Sequence, residues 1–206
     1  MHPVIEGFAG GSALLALGLA VVVAAQRKAV RSLRKLASVE PLSGLPNRRE
    51  VMRTLEAEVA RASRGGAPFA VVLLDVDRLK LINDRCGHRA GDRAILRVAN
   101  ALRASVRLSD TAGRIGGDEF AVILPGADAP AARRFLVRVH DMLARHRRAG
   151  IVTVSGGIAV HPGGGATAEA LLETADVALY SEKDRRARRT PASIPRLVPG
   201  TLREIV

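Results

Sequence analysis

GRIGGDEFAVI, residues 113–123, sets two glycines and two acids between short apolar runs. The flanks read as two strands, 111–115 and 119–124, joined by a hairpin turn at Gly116 and Gly117. A two-residue hairpin turn needs positive φ, and Gly-Gly adopts it without steric cost. Asp118 and Glu119 then stand near a rigid tip. Upstream, residues 68–76, PFAVVLLDV, form a mostly apolar run ending in acid. That is how a buried strand delivers a carboxylate to a sheet edge. Alternation along the strand puts Asp75 and Asp77 on one face. If strand and hairpin are neighbours, their acids converge, and like charges brought together call for a cation. Oxygen-only ligands favour Mg²⁺, the usual partner of a nucleoside triphosphate, with Mn²⁺ as the alternative. Taken singly, each motif has a plainer reading: a soluble hairpin for the first, a strand-end cap for the second.

Outward from this centre the chain alternates helix and strand. PLSGLPNRRE, residues 41–50, is a Pro/Gly turn that delivers an N-cap at Asn47 to a helix reaching about residue 64. NDRCGHRAGD, residues 83–92, reads as a polar loop. A helix from about 93 to 107 carries Ile95, Val98, Ala99 and Leu102 on one face. Further helices are expected over 129–147 and 168–188, with a strand at 151–160 between them. The pattern is an α+β sheet with helices packed against it. Residues 190–206, with Pro191, Pro195 and Pro199, read as an irregular tail.

The N-terminus has a different character. FAGGSALLALGLAVVVAA, residues 8–25, carries no charge and is long enough for a tilted transmembrane helix. The seven residues before it contain Glu6 but no Lys or Arg, so the basic region of a cleaved signal peptide is missing. An uncleaved anchor is expected, with residues 1–7 as a short extracytoplasmic stub. Arg27, Lys28, Arg31, Arg34 and Lys35 follow at once, and that basic cluster places the rest of the chain in the cytoplasm. Residues 26–39 are expected to form a basic juxtamembrane helix. It suits contact with acidic lipid and pairing with a second chain about equally.

Composition narrows the classes further. Among 206 residues, 32 Lys and Arg against 20 Asp and Glu imply an anionic partner. Aromatic content of 2% leaves little material for a base-stacking nucleic-acid platform, so no nucleic acid is expected as partner. The single Cys86 cannot form an internal disulfide, which fits a reducing compartment.

RIGGDEF (114–120) together with LLDVDRLKLINDRCGHRAGD (73–92) resembles the GGDEF domain of diguanylate cyclases, which join two GTP molecules into cyclic di-GMP. LSGLPNRR (42–49) and ADVALYSEK (175–183) extend the likeness in the family's order, so it spans residues 40–189. The resemblance implies a five-stranded sheet surrounded by helices, like polymerase palms and nucleotidyl cyclases. It implies an enzyme active as a homodimer, each domain holding one GTP and the product inhibiting in return. With the anchor, the expectation is a single-pass protein of the bacterial inner or cell membrane with a cytoplasmic catalytic domain.

Residue by residue, the resemblance implies that Asp75, the Val76 backbone carbonyl and Asp118 bind Mg²⁺, with Glu119 essential beside them. Gly116 and Gly117 let phosphate or ribose approach the backbone. Lys80 and Lys183 neutralise the β- and γ-phosphates, and Asn83 and Asp92 read guanine. Arg107 and Asp110, an R-x-x-D nine residues before Gly116, form the inhibitory cyclic di-GMP site. Several positions depart from the family. Leu79 stands for the common Phe, Glu40 and Ser43 for Asp and Thr, Cys86 for an aromatic, and Ala187 for a phosphate-contacting Arg, with Arg186 or Arg188 as candidate substitutes. Ala187 keeps open a second reading: a catalytically weak or inactive module that binds GTP or cyclic di-GMP. His88 reads as a loop-packing residue, since no second His or Cys is suitably spaced for a metal.

Overall fold

The computed structural model describes residues 38–145, 152–161 and 167–189, with positions 19, 21, 23 and 26 near the N-terminus. Those four positions are helical. The stub 1–7, the rest of the 8–25 span, nearly all of 26–39 and the tail 190–206 lie outside the described residues. Among the described residues no helix is long and apolar enough to cross a membrane. The chain divides into two compact units, 1–39 and 40–206, and the second carries everything that follows.

In chain order the second unit runs α1 (Arg48–Ser63), β1 (Phe69–Val76), α2 (Leu79–Cys86), α3 (His88–Ser105), β2 (Thr111–Arg114), β3 (Glu119–Pro125), α4 (Ala129–Arg145), β4 (Val154–His161) and α5 (Ala168–Arg189). Asn47 is the N-cap of α1 as expected, its side chain accepting from the Glu50 N–H at 3.1 Å. The expected polar loop at 83–92 is instead helical. α2 runs to Cys86, Gly87 (φ 80°) breaks the chain, and α3 begins at His88 rather than at residue 93. His88 is therefore an exposed first-turn residue, not part of a loop. The polar residues are the solvent faces of two amphipathic helices rather than the signature of a loop. Ile95, Val98, Ala99 and Leu102 are buried as expected, while Arg89, Asp92 and Arg103 are exposed.

Four strands form the sheet among the described residues, in the order β2-β3-β1-β4, with every pairing antiparallel. The implied fifth strand is not among them. Beside β2 the described chain makes an isolated parallel bridge, Asn47 to Arg114, and α1 begins at the next residue, Arg48, before a ladder can grow.

β1 is central and buried on both faces. Ala70, Val72, Leu74 and Val76 join Val98, Leu102, Phe135 and Val139 from α3 and α4. Phe69, Val71 and Leu73 join Val51 and Leu55 of α1 and Leu171, Ala175 and Leu179 of α5. Asp75 continues this second face, so the strand's parity hands its carboxylate to α5. Gly157 makes the approach of α5 close. A Cβ there would lie 2.0 Å from the Ala175 carbonyl oxygen and 2.3 Å from the Leu179 nitrogen, which excludes any side chain. Backbone thus rests on backbone, and the last turns of α5 reach the end of β1.

Candidate active site

The acids converge as the sequence suggests. Asp75 is paired across the ladder with Glu119 of β3 on one side and with Ser155 of β4 on the other. The Val76 N–H donates to the Asp118 carbonyl oxygen at 3.0 Å, which fixes the tip of the β2–β3 hairpin against the end of β1. Asp75, Val76, Asp118 and Glu119 therefore occupy one sheet end. Lys183 of α5 meets Asp75 there, Nζ to Oδ2 at 2.8 Å. Burial pushes the Asp75 carboxyl up from its ordinary range. Lys183 opposes that shift, and the charges of Asp118 and Asp77 add to it.

The hairpin turn differs from the expected two-residue form. Arg114 pairs with Phe120, and the Ile115 N–H donates to the Glu119 carbonyl at 2.9 Å, leaving Gly116, Gly117 and Asp118 as the tip. Neither glycine adopts positive φ. Their role is spatial. A Cβ on Gly116 would lie 2.3 Å from Glu119 Oε2, so this glycine makes room for the Glu119 carboxylate folded over it. A Cβ on Gly117 would meet nothing within 4 Å, so that side is open to a ligand.

Arg114 holds the tip from within. Its guanidinium donates to the Gly117 carbonyl at 2.7 Å and pairs with Glu40 at 3.0 Å. Burial alone would raise the Glu40 carboxyl. Hydrogen bonds from Ser43, Leu42 and Arg114 outweigh it and hold the pKa at about 2. Glu40 and Ser43, two of the positions that depart from the family, are thus parts of one charged anchor for the hairpin. An arginine on a short strand beside an acidic tip was the available signal.

The remaining expected residues fall in three places. Lys80 is exposed in the first turn of α2, just after Arg78, whose left-handed backbone (φ 58°) turns β1 into that helix. Asn83 lies against Gly91 of α3, where a Cβ would sit 2.0 Å from its Oδ1, which brings its amide beside the neighbour of Asp92. Arg107 and Asp110 form a tight turn after α3. The Asp110 carboxylate accepts from the Arg107 N–H at 2.8 Å, and the Arg107 side chain is exposed. This turn enters β2 at Thr111, whereas the acidic tip leaves it at Arg114, so the two sites lie at opposite ends of one strand.

Among the described residues no three His, Cys, Asp or Glu side chains cluster as a metal site. The oxygen set of Asp75, Asp118 and the Val76 carbonyl nevertheless fits a hard divalent cation that takes its other ligands from water and phosphate. Such a cation would offset both the burial that raises Asp75 and the neighbouring charges of Asp118 and Asp77 that add to it. Neither candidate substitute for the missing arginine at 187 stands clear: Arg186 is bound to Asp77 and Glu182, and Arg188 pairs with Asp184 at 2.9 Å.

Residues 37–189 match the family described as diguanylate cyclase, GGDEF domain. The chain is 41% identical over 155 residues to the diguanylate cyclase DgcP of Pseudomonas aeruginosa, covering 73% of this chain and 23% of that protein. It is 38% identical over 156 residues to the response regulator PleD of Caulobacter vibrioides, covering 72% of this chain and 34% of PleD. The chain thus spans about a third or less of these curated relatives. In structure it is similar to the coiled coil and GGDEF domain of DgcB from Caulobacter crescentus in complex with c-di-GMP, with TM-score 0.74 and 31% identity over 84% of this chain and 94% of that one. It is also similar to the diguanylate cyclase SiaD of Pseudomonas aeruginosa, solved with its activator SiaC, with TM-score 0.69 and 33% identity over 87% of this chain and 72% of SiaD.

Proposed function

Because the chain belongs to the GGDEF family of diguanylate cyclase domains, we propose that it condenses two GTP into cyclic di-GMP. The observation that carries this is the gathering of Asp75, Val76, Asp118, Glu119 and Lys183 at one sheet end. In each half-reaction the 3′-oxygen of one GTP bonds to the α-phosphorus of the other, the α–β phosphoanhydride breaks, and pyrophosphate leaves with the electron pair. The hydroxyl proton passes to solvent or a carboxylate.

Asp75, Asp118 and the Val76 carbonyl would hold Mg²⁺, which when bound neutralises phosphate charge and acidifies the attacking hydroxyl. Lys183 and Lys80 bind the outer phosphates. The open face of Gly117 admits the nucleotide against backbone, and Arg114 keeps that loop in place. Asn83 and Asp92 read guanine: a carboxylate accepts from the N1–H and 2-amino edge, a donor pair that adenine lacks. Since each domain holds one GTP, the working unit is a homodimer. Arg107 and Asp110 bind cyclic di-GMP as an inhibitor. The uncharged 8–25 stretch, in which Leu19 and Val21 are helical and exposed, supports a single-pass membrane anchor with the domain in the cytoplasm.

A weakly active or inactive binding module is favoured by one observation: Ala187 is exposed and its neighbours Arg186 and Arg188 are already paired. Incubating the detergent-solubilised protein with Mg²⁺ and either GTP or ATP, and identifying products by mass spectrometry, separates the readings. Cyclic di-GMP from GTP alone supports the cyclase. A folded sample that binds cyclic di-GMP but makes none supports the module.

A further inference from the structure

Asp75 lies near the end of β1 and Asp77 just past it, and α5 answers each acid with a cation from successive turns. Lys183 takes Asp75 at 2.8 Å and Arg186 takes Asp77 at 3.2 Å. The two pairs differ in what surrounds them. Asp77 Oδ2 accepts from Thr153 Oγ1 at 2.6 Å as well as from Arg186, and Oδ1 accepts from Ser155 Oγ at 2.6 Å. The Asp77 N–H donates to the Thr153 carbonyl at 2.9 Å. A carboxylate offers about four acceptor sites, and three are filled here by protein donors. Asp77 is therefore committed to the protein, although it is spelled as the twin of a candidate metal ligand. Arg186 is committed equally: it also donates to the Val154 carbonyl at 3.1 Å and to Glu182 at 3.0 Å. One guanidinium thus ties the last turns of α5 to the ends of β1 and β4.

We propose that Arg186 is a positioning residue. Its clamp on Asp77 and the Val154 carbonyl holds α5 in register, so that Lys183, one turn earlier, is presented to Asp75 and to an incoming triphosphate. The Asp77–Arg186 pair is the fixed strut, and Lys183 is the cation left to exchange Asp75 for phosphate. An ammonium makes a single point contact, whereas the planar guanidinium can hold two oxygens at once, so the residue types suit the two roles. This assignment also explains why Arg186 does not replace the arginine missing at 187. The phosphate-binding part of the proposal rests on the cyclase reading; the clamp itself does not.

The experiment uses the full-length chain without nucleotide. Lys183 and Lys80 are acylated with a water-soluble amine reagent, and each rate is read by peptide mass spectrometry in wild type, Arg186→Lys and Arg186→Met. Loss of the clamp is expected to raise the Lys183 rate roughly fivefold in Arg186→Met, with Arg186→Lys between it and wild type, while exposed Lys80 keeps its rate. In parallel, KM for GTP is expected to rise about tenfold in Arg186→Met with a smaller fall in kcat, and Arg186→Lys to recover part of it. A Lys183 rate unchanged from wild type in folded Arg186→Lys and Arg186→Met overturns the proposal. If Arg186→Met does not fold, Arg186→Lys, which keeps a cation at the strut, decides alone. A changed Lys183 rate in a protein that makes no cyclic di-GMP would uphold the clamp and defeat only the cyclase reading.

Discussion

Glu40 and Arg114 form an ion pair at 3.0 Å that joins the first residue of the second compact unit to its acidic hairpin. Arg114 passes the constraint on through its 2.7 Å bond to the Gly117 carbonyl. Both side chains are largely shielded from water, so the pair is worth more than an exposed one. Arg114→Ala strands the Glu40 charge and frees the tip. Expected are a loss of about 1–3 kcal/mol in unfolding free energy and a fall of roughly 10–100-fold in kcat. Urea unfolding and steady-state turnover check the two halves separately, and normal turnover in a destabilised variant would show that the tip needs no such anchor.

The hydrogen bonds that Glu40 accepts, from Ser43 and Leu42 ahead of Arg114, set an acid limit. The Glu40 carboxyl titrates at about 2 in the folded chain against an ordinary 4.5. A depressed carboxylate contributes stability that is present above the unfolded value and lost as pH falls toward the folded one. Wild type should therefore exceed Glu40→Gln by on the order of 2–3 kcal/mol at neutral pH, with the gap closing between about pH 5 and pH 2. Unfolding midpoints measured across that range test it; a gap independent of pH would assign the stabilisation elsewhere.

Gly116 and Gly117 are expected to respond differently to the same methyl. Gly116→Ala drives Cβ into the Glu119 carboxylate, so the exposed Glu119 side chain must swing away and turnover falls. Gly117→Ala meets no protein atom. It should unfold like wild type, within about 0.5 kcal/mol, yet bind nucleotide more weakly. Thermal unfolding beside titration with a non-hydrolysable GTP analogue distinguishes them.

Arg107 and Asp110 also separate. Asp110 caps the turn through the Arg107 N–H, whereas the Arg107 side chain is exposed. Arg107→Ala should relieve product inhibition and spare initial turnover and stability. Asp110→Ala should do the first and also cost about 1 kcal/mol. Progress curves with added cyclic di-GMP check this, and unchanged inhibition in Arg107→Ala would remove the site.

Much of this was legible in the sequence where one residue decides one thing. Asn47 capped its helix, the apolar run at 68–76 became the central strand, and the parity of Asp75 and Asp77 placed both beneath α5. The family motifs added the fifth strand, which the described residues do not contain. Polar density hid the helices at 79–92, because an amphipathic helix and a loop share composition and differ only in phase. The Gly-Gly tip suggested a torsional reason where the structure shows a spatial one. The partnerships of Arg114, Arg186 and Gly157 were illegible, because Glu40, Asp77 and the backbone of α5 are distant from them in sequence. Only the folded sheet brings them together.

Above all, the Asp75–Asp118 end of the sheet is expected to join GTP molecules. The most direct test counts pyrophosphate released and cyclic di-GMP formed in the same reaction with Mg²⁺ and GTP, for wild type and Asp118→Ala. Two pyrophosphates per cyclic dinucleotide are expected in wild type, and neither product above background in the variant. Equal product from folded Asp118→Ala, or pyrophosphate without cyclic di-GMP in wild type, would contradict that role.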